Sequence, residues 1–281
     1  MSDIRKESMI LNAAVYQFVH IQNLPTLREE LRDLCRGLGL KGTILLSPEG
    51  FNSFLAGSES AIEEVLQAFA QKIGGGPYRV KRSWTETQPF SRMLVRIKKE
   101  IISMGMSFGD RPLVTAPHLT PEELREWMRT KKDFVFLDTR NDYEIRLGKF
   151  EGAMELGIQT FRQFPEKLKE LAPQLKDKTV VMYCTGGIRC EKATAFAQEI
   201  GMESVYQIED GILGYFERCG SEGYQGDCFV FDYRVAVGEN LSPTHAVQCF
   251  ECRNPLTPEE QKSPDYQIGK HCPYCVQRSI A

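Results

Sequence analysis

The stretch VMYCTGGIRCEK, residues 181–192, decides how the central part of the chain folds. An apolar run ends at Cys184, the pair Gly186–Gly187 follows, and a helical pattern begins near Cys190. A buried strand that enters a glycine turn and then a helix is typical of a parallel sheet covered by helices. Functional side chains gather at the carboxyl ends of such strands, which is where Cys184 stands.

The residues around Cys184 favour a reactive thiolate. The glycines let backbone N–H groups turn inward, the following helix adds the positive end of its dipole, and Arg189 adds a full charge. Thr185, Gly186, Gly187 and Ile188 complete this predicted loop. The alternative is a structural cysteine before an ordinary turn. Cys190 is either a second reactive thiol, able to form a disulfide with Cys184, or a core residue.

The spacing of the loop disfavours phosphatase chemistry. In protein tyrosine phosphatases the arginine stands six positions after the cysteine, whereas Arg189 stands five after Cys184. A tighter loop suits a small sulfur or oxygen species better than a phosphomonoester.

The same α/β pattern extends over residues 120–222. Thr120 and Glu123 form a predicted capping box, and strands are predicted over 133–138, 153–158, 179–184 and 204–210. Helices alternate with these strands, which predicts a mostly parallel sheet. Asp138 ends one of the strands, so it is expected at the same edge of the sheet as Cys184.

The front of the chain, residues 1–104, predicts a different architecture. Its apolar periodicities give the order β-α-β-β-α-β, which is ferredoxin-like α+β, and one further strand. Ser60 and Glu63 predict the start of its second helix. Residues 105–119 carry glycine and proline without a helical period and are predicted to be a linker.

A local excess of basic residues marks the end of the front domain. The net charge of −3 excludes a global basic field, so any nucleic-acid site must be a local patch. The candidates for contacts with RNA phosphates are Arg79, Lys81, Arg82, Arg96 and Lys98. A solvated strand face explains the same charges equally well.

The last segment, residues 223–281, is rich in cysteine and poor in helical period. The motifs CFEC and CPYC place Cys249, Cys252, Cys272 and Cys275 at a spacing typical of a tetrahedral zinc site. Four protein ligands leave no open position, so the predicted Zn²⁺ is structural. Free thiols or a pair of disulfides are the alternatives.

Composition and motifs limit the compartment and the cofactors. The N-terminus lacks the apolar core of a signal peptide, and no apolar run reaches the ~20 residues that cross a bilayer. A cytoplasmic protein without a membrane partner is therefore expected, in which nine cysteines indicate metal or thiol chemistry. No organic cofactor is evident, and the sequence does not determine the oligomeric state.

Two motifs give the central region a family resemblance. The stretch LDTRNDYEIRLGKFEGA, residues 137–153, resembles the rhodanese signature, with Asp138, Arg140 and Glu144 at the matching spacings. The stretch YQIEDGILGYFE, residues 206–217, is similar to the closing motif of that family. This resemblance implies a rhodanese-like parallel α/β domain in which Cys184 carries a persulfide. Asp138 and Arg140 would support the loop, either chemically or as a structural ion pair.

The whole chain resembles the rhodanese-containing tRNA uridine hydroxylases, bacterial proteins with an acylphosphatase-like front domain. The resemblance rests on KGTILLSPEGFNSFLAG, PFSRMLVRIKKEI, CTGGIRCEK, CFVFDYRVAV and the paired CxxC motifs. It implies oxygen-dependent 5-hydroxylation of the wobble uridine, with tRNA as partner and molecular oxygen as co-substrate. Cys184 would then add to the uracil ring or carry oxygen, and Arg189 would stabilise the thiolate or a tRNA phosphate.

Two other functions remain open at this point. One is a sulfurtransferase that carries a persulfide on Cys184 and needs a sulfur donor. The other is a thiol-bearing RNA-binding or redox-sensing module, which needs the Cys184 and Cys190 pair but no turnover. The hydroxylase differs from both in needing tRNA, oxygen and an electron donor.

Overall fold

The computed structural model describes residues 9–106, 108 and 113–280. The first eight residues, which begin the stretch considered for a signal peptide, lie outside the described residues. So do residues 107 and 109–112 of the predicted linker.

By compactness the chain divides into two units. One combines Met1–Ala116 with Ile188–Gly201, and the other combines Pro117–Gly187 with Met202–Ala281. The domain boundaries predicted from the sequence stay a prediction, because the helix after the cysteine loop groups here with the front of the chain.

Both units contain helices and strands. The front of the chain contributes β1 (Ile10–Phe18), α1 (Leu24–Gly37), β2 (Lys41–Ser47), β3 (Gly50–Gly57), α2 (Glu59–Lys72), β4 (Lys81–Thr85) and β5 (Met93–Ile97). The central region contributes β6 (His118–Leu119), α3 (Pro121–Arg129), β7 (Val135–Asp138), α4 (Asp142–Ile145), β8 (Gly148–Phe150), α5 (Phe164–Leu175), β9 (Val180–Tyr183), α6 (Ile188–Glu199), β10 (Val205–Ile208) and α7 (Gly211–Cys219). The remainder contributes β11 (Tyr224–Gly226), β12 (Cys228–Phe229), β13 (Ala236–Val237), β14 (Val247–Gln248), β15 (Pro255–Leu256) and α8 (Pro273–Ile280).

The front strands form one five-stranded sheet in the order β4-β1-β3-β2-β5. Only β2 and β5 run parallel, and the other neighbours are antiparallel. The helices bury Leu31 of α1 and Phe69 of α2 in one core with Phe51 of β3. The rings of Phe51 and Phe69 lie 4.6 Å apart. The ferredoxin-like prediction is confirmed.

The start of α2 differs from the prediction. Ser58, not Ser60, is the N-cap, and its hydroxyl accepts a hydrogen bond from the Ala61 amide at 3.3 Å. Both serines precede the same apolar pattern, so spacing alone does not choose between them. The predicted capping box at Thr120 and Glu123 is present at the start of α3.

The second unit contains a parallel sheet in the order β6-β10-β9-β7. Phe150 lies at the centre of its aromatic core, stacked on Phe136 at 4.7 Å. The rings of Tyr183, Tyr215 and Tyr224 meet Phe150 edge-on at 5.0–5.2 Å. The expected rhodanese-like parallel sheet is confirmed, and this core supports the end of β9, where the cysteine loop begins.

The strand predicted over residues 153–158 is wrong. Gly152 and Gly157 adopt positive φ at its two ends, and only Met154 bridges the sheet, next to Leu137. The strand of this region is β8, which pairs antiparallel with β11. Apolar alternation over 153–158 indicated an extended backbone but not where that backbone finds hydrogen-bond partners.

The cysteine-rich region contains two short hairpins, β12–β13 and β14–β15, and the helix α8. Its small core is built around Cys249, Leu256 and Cys272. Within the described residues, no helix is both long and apolar enough to cross a membrane.

Candidate active site

Cys184 directly follows β9 and is wholly buried. The amide of Gly187 donates a hydrogen bond to its sulfur at 3.1 Å, and Gly187 adopts a φ of 93°. A left-handed turn of this kind favours glycine, and a hydrogen bond to a thiolate stabilises its charged form. The local backbone therefore places a donor where negative charge would reside.

The first residues of α7 donate hydrogen bonds to the backbone of the cysteine loop. The amide of Ile212 donates to the Cys184 carbonyl and the amide of Leu213 to the Thr185 carbonyl, both at 3.0 Å. These amides are the ones that a helix leaves without partners at its N-terminus. The loop and the helix thus satisfy each other's backbone groups.

Gly211 makes this close approach possible. Its φ is +63°, and a Cβ there would lie 2.4 Å from the Cys184 carbonyl oxygen and 2.8 Å from the Gly187 nitrogen. No larger residue fits without displacing the loop backbone.

The Thr185 side chain connects the loop to two further segments. Its hydroxyl lies 3.4 Å from the Glu144 carboxylate and 3.3 Å from the Phe229 carbonyl oxygen. Cys228, next to Phe229, is wholly buried, and burial raises the pKa of its thiol to about 12. Sequence reasoning assigned Cys228 no role, and its neutral thiol packs beneath the loop. The only sequence signal for this segment is the CFVF stretch.

Asp138 and Arg140 form a wholly buried ion pair at 2.7 Å. Arg140 also donates to the Gly148 carbonyl at 2.7 Å. Burial opposes the charge on Arg140, but Asp138 outweighs it and keeps the pKa of the guanidinium well above its ordinary value. Because neither group reaches solvent, the geometry supports the structural interpretation, in which the pair fixes β8 beside the end of β7.

Arg189 and Cys190 lie in the first turn of α6, and both side chains are buried. Within the part of the chain that the structure describes, no disulfide joins any of the cysteines. The roles predicted for these two residues stay predictions.

Lys192, also on α6, is a functional candidate that the sequence did not reveal. Its side chain is 1% exposed, and its ammonium lies 2.9 Å from the Glu49 carboxylate and 2.8 Å from the Glu100 carboxylate. Glu49 also accepts the Ile101 amide at 2.8 Å. Glu49 belongs to the turn between β2 and β3, and this contact connects that turn to α6.

The predicted RNA-binding residues have different surroundings. Lys81 is 8% exposed, with its ammonium 4.8 Å from the centre of the Tyr16 ring. Arg82 forms ion pairs with Glu59 and Glu63. Arg79, Arg96 and Lys98 are exposed. These three have the exposure that a contact with phosphate requires.

The four cysteines of the tail converge on one point. Their sulfur atoms all lie within 4.8 Å of one another, with separations of 3.7 Å for Cys249–Cys275, 3.6 Å for Cys252–Cys272 and 3.8 Å for Cys272–Cys275. The Asn254 amide donates to the Cys252 sulfur at 3.3 Å. This cluster can hold a metal ion.

Comparison with known proteins agrees with this arrangement. A model of the UPF0176 acylphosphatase-like domain matches residues 10–101, and a model of the rhodanese-like domain matches residues 120–218. A tRNA uridine(34) hydroxylase from Cupriavidus necator is 48% identical over 95% of this chain and 96% of its own length. One from Burkholderia vietnamiensis is 44% identical over 97% and 99%. The chain belongs to the tRNA uridine(34) hydroxylase family.

Family membership confirms the resemblance inferred from the motifs. The matches to relatives extend beyond the two domain models, because they cover nearly the full length of both chains. The front domain and the tail are therefore shared features of this family and not additions to a lone rhodanese domain.

The close approach at Gly211 predicts the effect of a single methyl group. Gly211→Ala should lower the free energy of unfolding by about 3 kcal/mol, since backbone displacement adds to the ~1 kcal/mol cost of positive φ. Gly157→Ala is the control, because Gly157 has a φ of +64° and no atom within 4 Å of where an added Cβ would stand. Gly157→Ala should lower the free energy of unfolding, measured with urea, by about 1 kcal/mol. Equal losses in the two variants would contradict the close approach.

The buried lysine predicts a second effect on stability. Lys192→Met leaves two carboxylates without their cation and should cost about 2–4 kcal/mol, less than for a fully buried pair because Glu49 is 29% exposed. Lys72→Met, which breaks one exposed pair with Glu30, is the matched control and should cost under about 1 kcal/mol. Urea unfolding of both variants beside the wild type measures the two losses, and equal losses would contradict the importance of burial.

The same pair predicts a pH dependence. Burial acts to raise the pKa of Glu100, but hydrogen bonds from Lys192 and the Met104 amide outweigh it and lower the pKa below 4.5. A lowered carboxyl pKa stabilises the fold above pH 4.5, and this stabilisation is lost as the pH falls further. The advantage of the wild type over Lys192→Met should therefore shrink below that pH. A constant difference down to the acid transition would show that Glu100 is not the partner.

Proposed function

We propose that this protein hydroxylates C5 of uridine 34 in tRNA, with molecular oxygen as co-substrate and the Cys184 loop as the reaction site. The observation that carries the proposal is the near full-length similarity, at 44–48% identity, to proteins named tRNA uridine(34) hydroxylase. The structure adds a strand-end cysteine whose sulfur accepts a backbone N–H. Because tRNA is the substrate, we place the protein in the cytoplasm.

The cysteine can activate the uracil ring by covalent addition. A thiolate that adds to C6 makes C5 nucleophilic, so that C5 takes up oxygen as a hydroperoxide. A dithiol donor then supplies two electrons and two protons, which release one oxygen atom as water and leave a hydroxyl on C5. Loss of the C5 proton expels the thiolate and restores the ring. In the other route, O₂ and two electrons from the dithiol oxidise Cys184 to a sulfenic acid with release of water. The sulfenic oxygen then passes to C5, which restores the thiol.

The other predicted residues have supporting roles in this proposal. Arg189 stabilises the thiolate or a tRNA phosphate, and Cys190 resolves an oxidised Cys184. Thr185, Gly186, Gly187 and Ile188 form the loop, while Asp138 and Arg140 fix the neighbouring strand. Arg79, Arg96 and Lys98 contact the phosphates of the tRNA. Lys81 and Arg82 are weaker candidates, because one is mostly buried and the other is paired.

Sulfur transfer is the second candidate function, favoured by the match of residues 120–218 to the rhodanese-like domain. The Cys184 thiolate would then take the sulfane sulfur of thiosulfate with release of sulfite, or that of a protein persulfide with release of the donor's thiolate. This reaction needs Cys184 but neither tRNA nor oxygen.

We further infer that the tail cluster holds structural Zn²⁺. Four thiolates at about 2.3 Å from zinc form a tetrahedron with edges of about 3.8 Å. Three of the six sulfur separations are 3.6–3.8 Å, and all six lie within 4.8 Å. Zinc would supply folding energy to a lobe with little core of its own.

The enzymatic proposal predicts an outcome with purified components. Wild-type protein, incubated in air with a dithiol and tRNA that lacks the modification, should yield 5-hydroxyuridine in nucleoside mass spectrometry. Cys184→Ser should reduce the yield at least about 10²-fold, since it removes the nucleophile. Cys219→Ser, at a half-buried thiol outside the loop, is the control and should retain activity.

The two candidate functions give different results in this assay. Product in air but not under nitrogen supports the hydroxylase. Conversion of thiosulfate to thiocyanate without any hydroxylated nucleoside would support the sulfurtransferase instead.

The metal proposal predicts a local loss of structure. Metal analysis of wild-type protein should find one zinc per chain, and Cys272→Ser should lose it because three thiolates bind zinc more weakly than four. Proteolysis should then cut within residues 240–280, where the wild type resists. Zinc-free wild-type protein that keeps this resistance would contradict the assignment.

A further inference from the structure

Exposed aromatic rings are confined to a small part of the described chain. Among the described phenylalanines, tyrosines and tryptophans, only Phe231, Tyr233 and Phe250 have exposed side chains, at 49%, 67% and 64%. Two of them stand at alternate positions of one short turn, Val230–Val235. Contiguous exposed apolar surface marks binding sites, and two exposed rings so close in sequence make this turn a candidate.

This turn is held rigidly. Arg234 grips the Asp232 carboxylate through its backbone amide and its guanidinium at 2.6–3.1 Å, and the Asp232 side chain is only 4% exposed. The Val230 amide donates to the Val235 carbonyl at 2.9 Å, which closes the turn. The aromatic residues between these contacts therefore have a fixed backbone.

Val235 carries backbone strain at the end of the turn. Its φ is 63°, a conformation that is rare for a β-branched residue. Strain of this kind persists only where the surroundings impose it, and it clusters at functional sites. A loop that merely lacked packing would have no need of such strain. The exposure of Phe231 and Tyr233 therefore has another cause.

Hydrogen bonding and ring contacts link the turn to the reactive loop within the second unit. Phe229, two residues before Phe231, accepts the hydroxyl of Thr185 at 3.3 Å, and Thr185 is adjacent to Cys184. The ring of Phe231 stands edge-on to the ring of Phe229, with centres 5.0 Å apart. Phe229 in turn meets Tyr143 edge-on at 5.4 Å. The exposed rings thus begin one buried aromatic residue away from the loop that carries the thiol.

We propose that Phe231 and Tyr233 form a stacking site for unpaired bases of the RNA beside the Cys184 loop. The proposal rests on the proposed function, since uridine 34 lies in a single-stranded loop whose bases can leave their stack. Proteins recognise such bases by stacking them on exposed aromatic side chains, whatever the base. A turn with a fixed backbone suits this role because it holds both residues at the surface before RNA binds.

The test measures binding separately from catalysis. Full-length wild-type protein is titrated with an RNA stem-loop that carries U34 and with a fully paired RNA of equal length. Phe231→Ala and Tyr233→Ala should each weaken stem-loop binding about tenfold, and the double variant about a hundredfold, with little change for the paired RNA. Phe231→Tyr and Tyr233→Phe should retain affinity, because they keep a ring.

Phe250→Ala is the matched control, since it removes an equally exposed ring from the metal-binding region. It should leave stem-loop binding within about twofold. Thermal unfolding of every variant should stay within a few degrees of the wild type, since each altered ring is about half exposed or more.

A direct readout of stacking comes from 2-aminopurine placed beside U34 in the stem-loop. Wild-type protein and Phe250→Ala should change its fluorescence, and the double variant should not. If the double variant binds both RNAs like the wild type, or weakens both equally, the stacking site does not exist. If it instead changes the oligomeric state of the protein, the rings form an interface between copies and the proposal is wrong.

Failure of the proposed function would give a different pattern. Absence of hydroxylation by the wild type, with stem-loop binding that still depends on both rings, would overturn the reaction and leave the stacking site in place. Normal hydroxylation by the double variant, with unchanged KM, would overturn the stacking site alone.

Discussion

The reactive loop depends on one contact, in which the backbone of residues 184–187 lies against the N-terminus of α7. Two loop carbonyls accept the first amides of that helix, and Gly211 leaves no room for a side chain between them. With its carbonyls committed to α7, the loop is free to direct the Gly187 amide at the Cys184 sulfur. Backbone geometry alone therefore supplies the Cys184 sulfur with a hydrogen-bond donor, without any charged side chain.

Buried charges then fix the segments that carry functional residues. Asp138 and Arg140 hold β8, and Asp232 and Arg234 hold the turn that exposes Phe231, through the same contacts between an acid and an arginine two residues later. Lys192 joins α6 to Glu49 and Glu100 in the first unit. Such pairs gain little net stability, because desolvation offsets their attraction, but removing one partner is costly. Their use here is to select one conformation for each segment.

Local signals were enough to predict the fold. Apolar periodicity indicated both sheets, and the Cys184 loop was recognisable because its glycines and helix start lie within a few residues. The strand predicted over 153–158 is wrong because a local pattern does not show which distant segment supplies the hydrogen bonds. In this region β11 pairs with β8 instead. Ser60 and Glu63 match the capping-box pattern, but the backbone conformation makes Ser58 the N-cap. Contacts between distant segments account for what the sequence did not reveal. Lys192 follows the loop by only a few residues, yet its partners Glu49 and Glu100 lie in the front domain. Phe231 and Tyr233 likewise lie exposed on a turn that the Arg234–Asp232 ion pair stabilises. The hydrophobic periodicity of the sequence does not indicate such a pair.

The central claim of the proposed function is that an oxygen atom passes from O₂ to uridine 34 at the Cys184 loop. Reaction of wild-type protein with unmodified tRNA under ¹⁸O₂ in ordinary water, followed by mass spectrometry of the nucleoside at position 34, follows that oxygen atom itself. We expect a hydroxyuridine that carries ¹⁸O and is absent with Cys184→Ser. A product with oxygen from water, or an ¹⁸O-labelled product formed equally well by Cys184→Ser, would contradict this expectation.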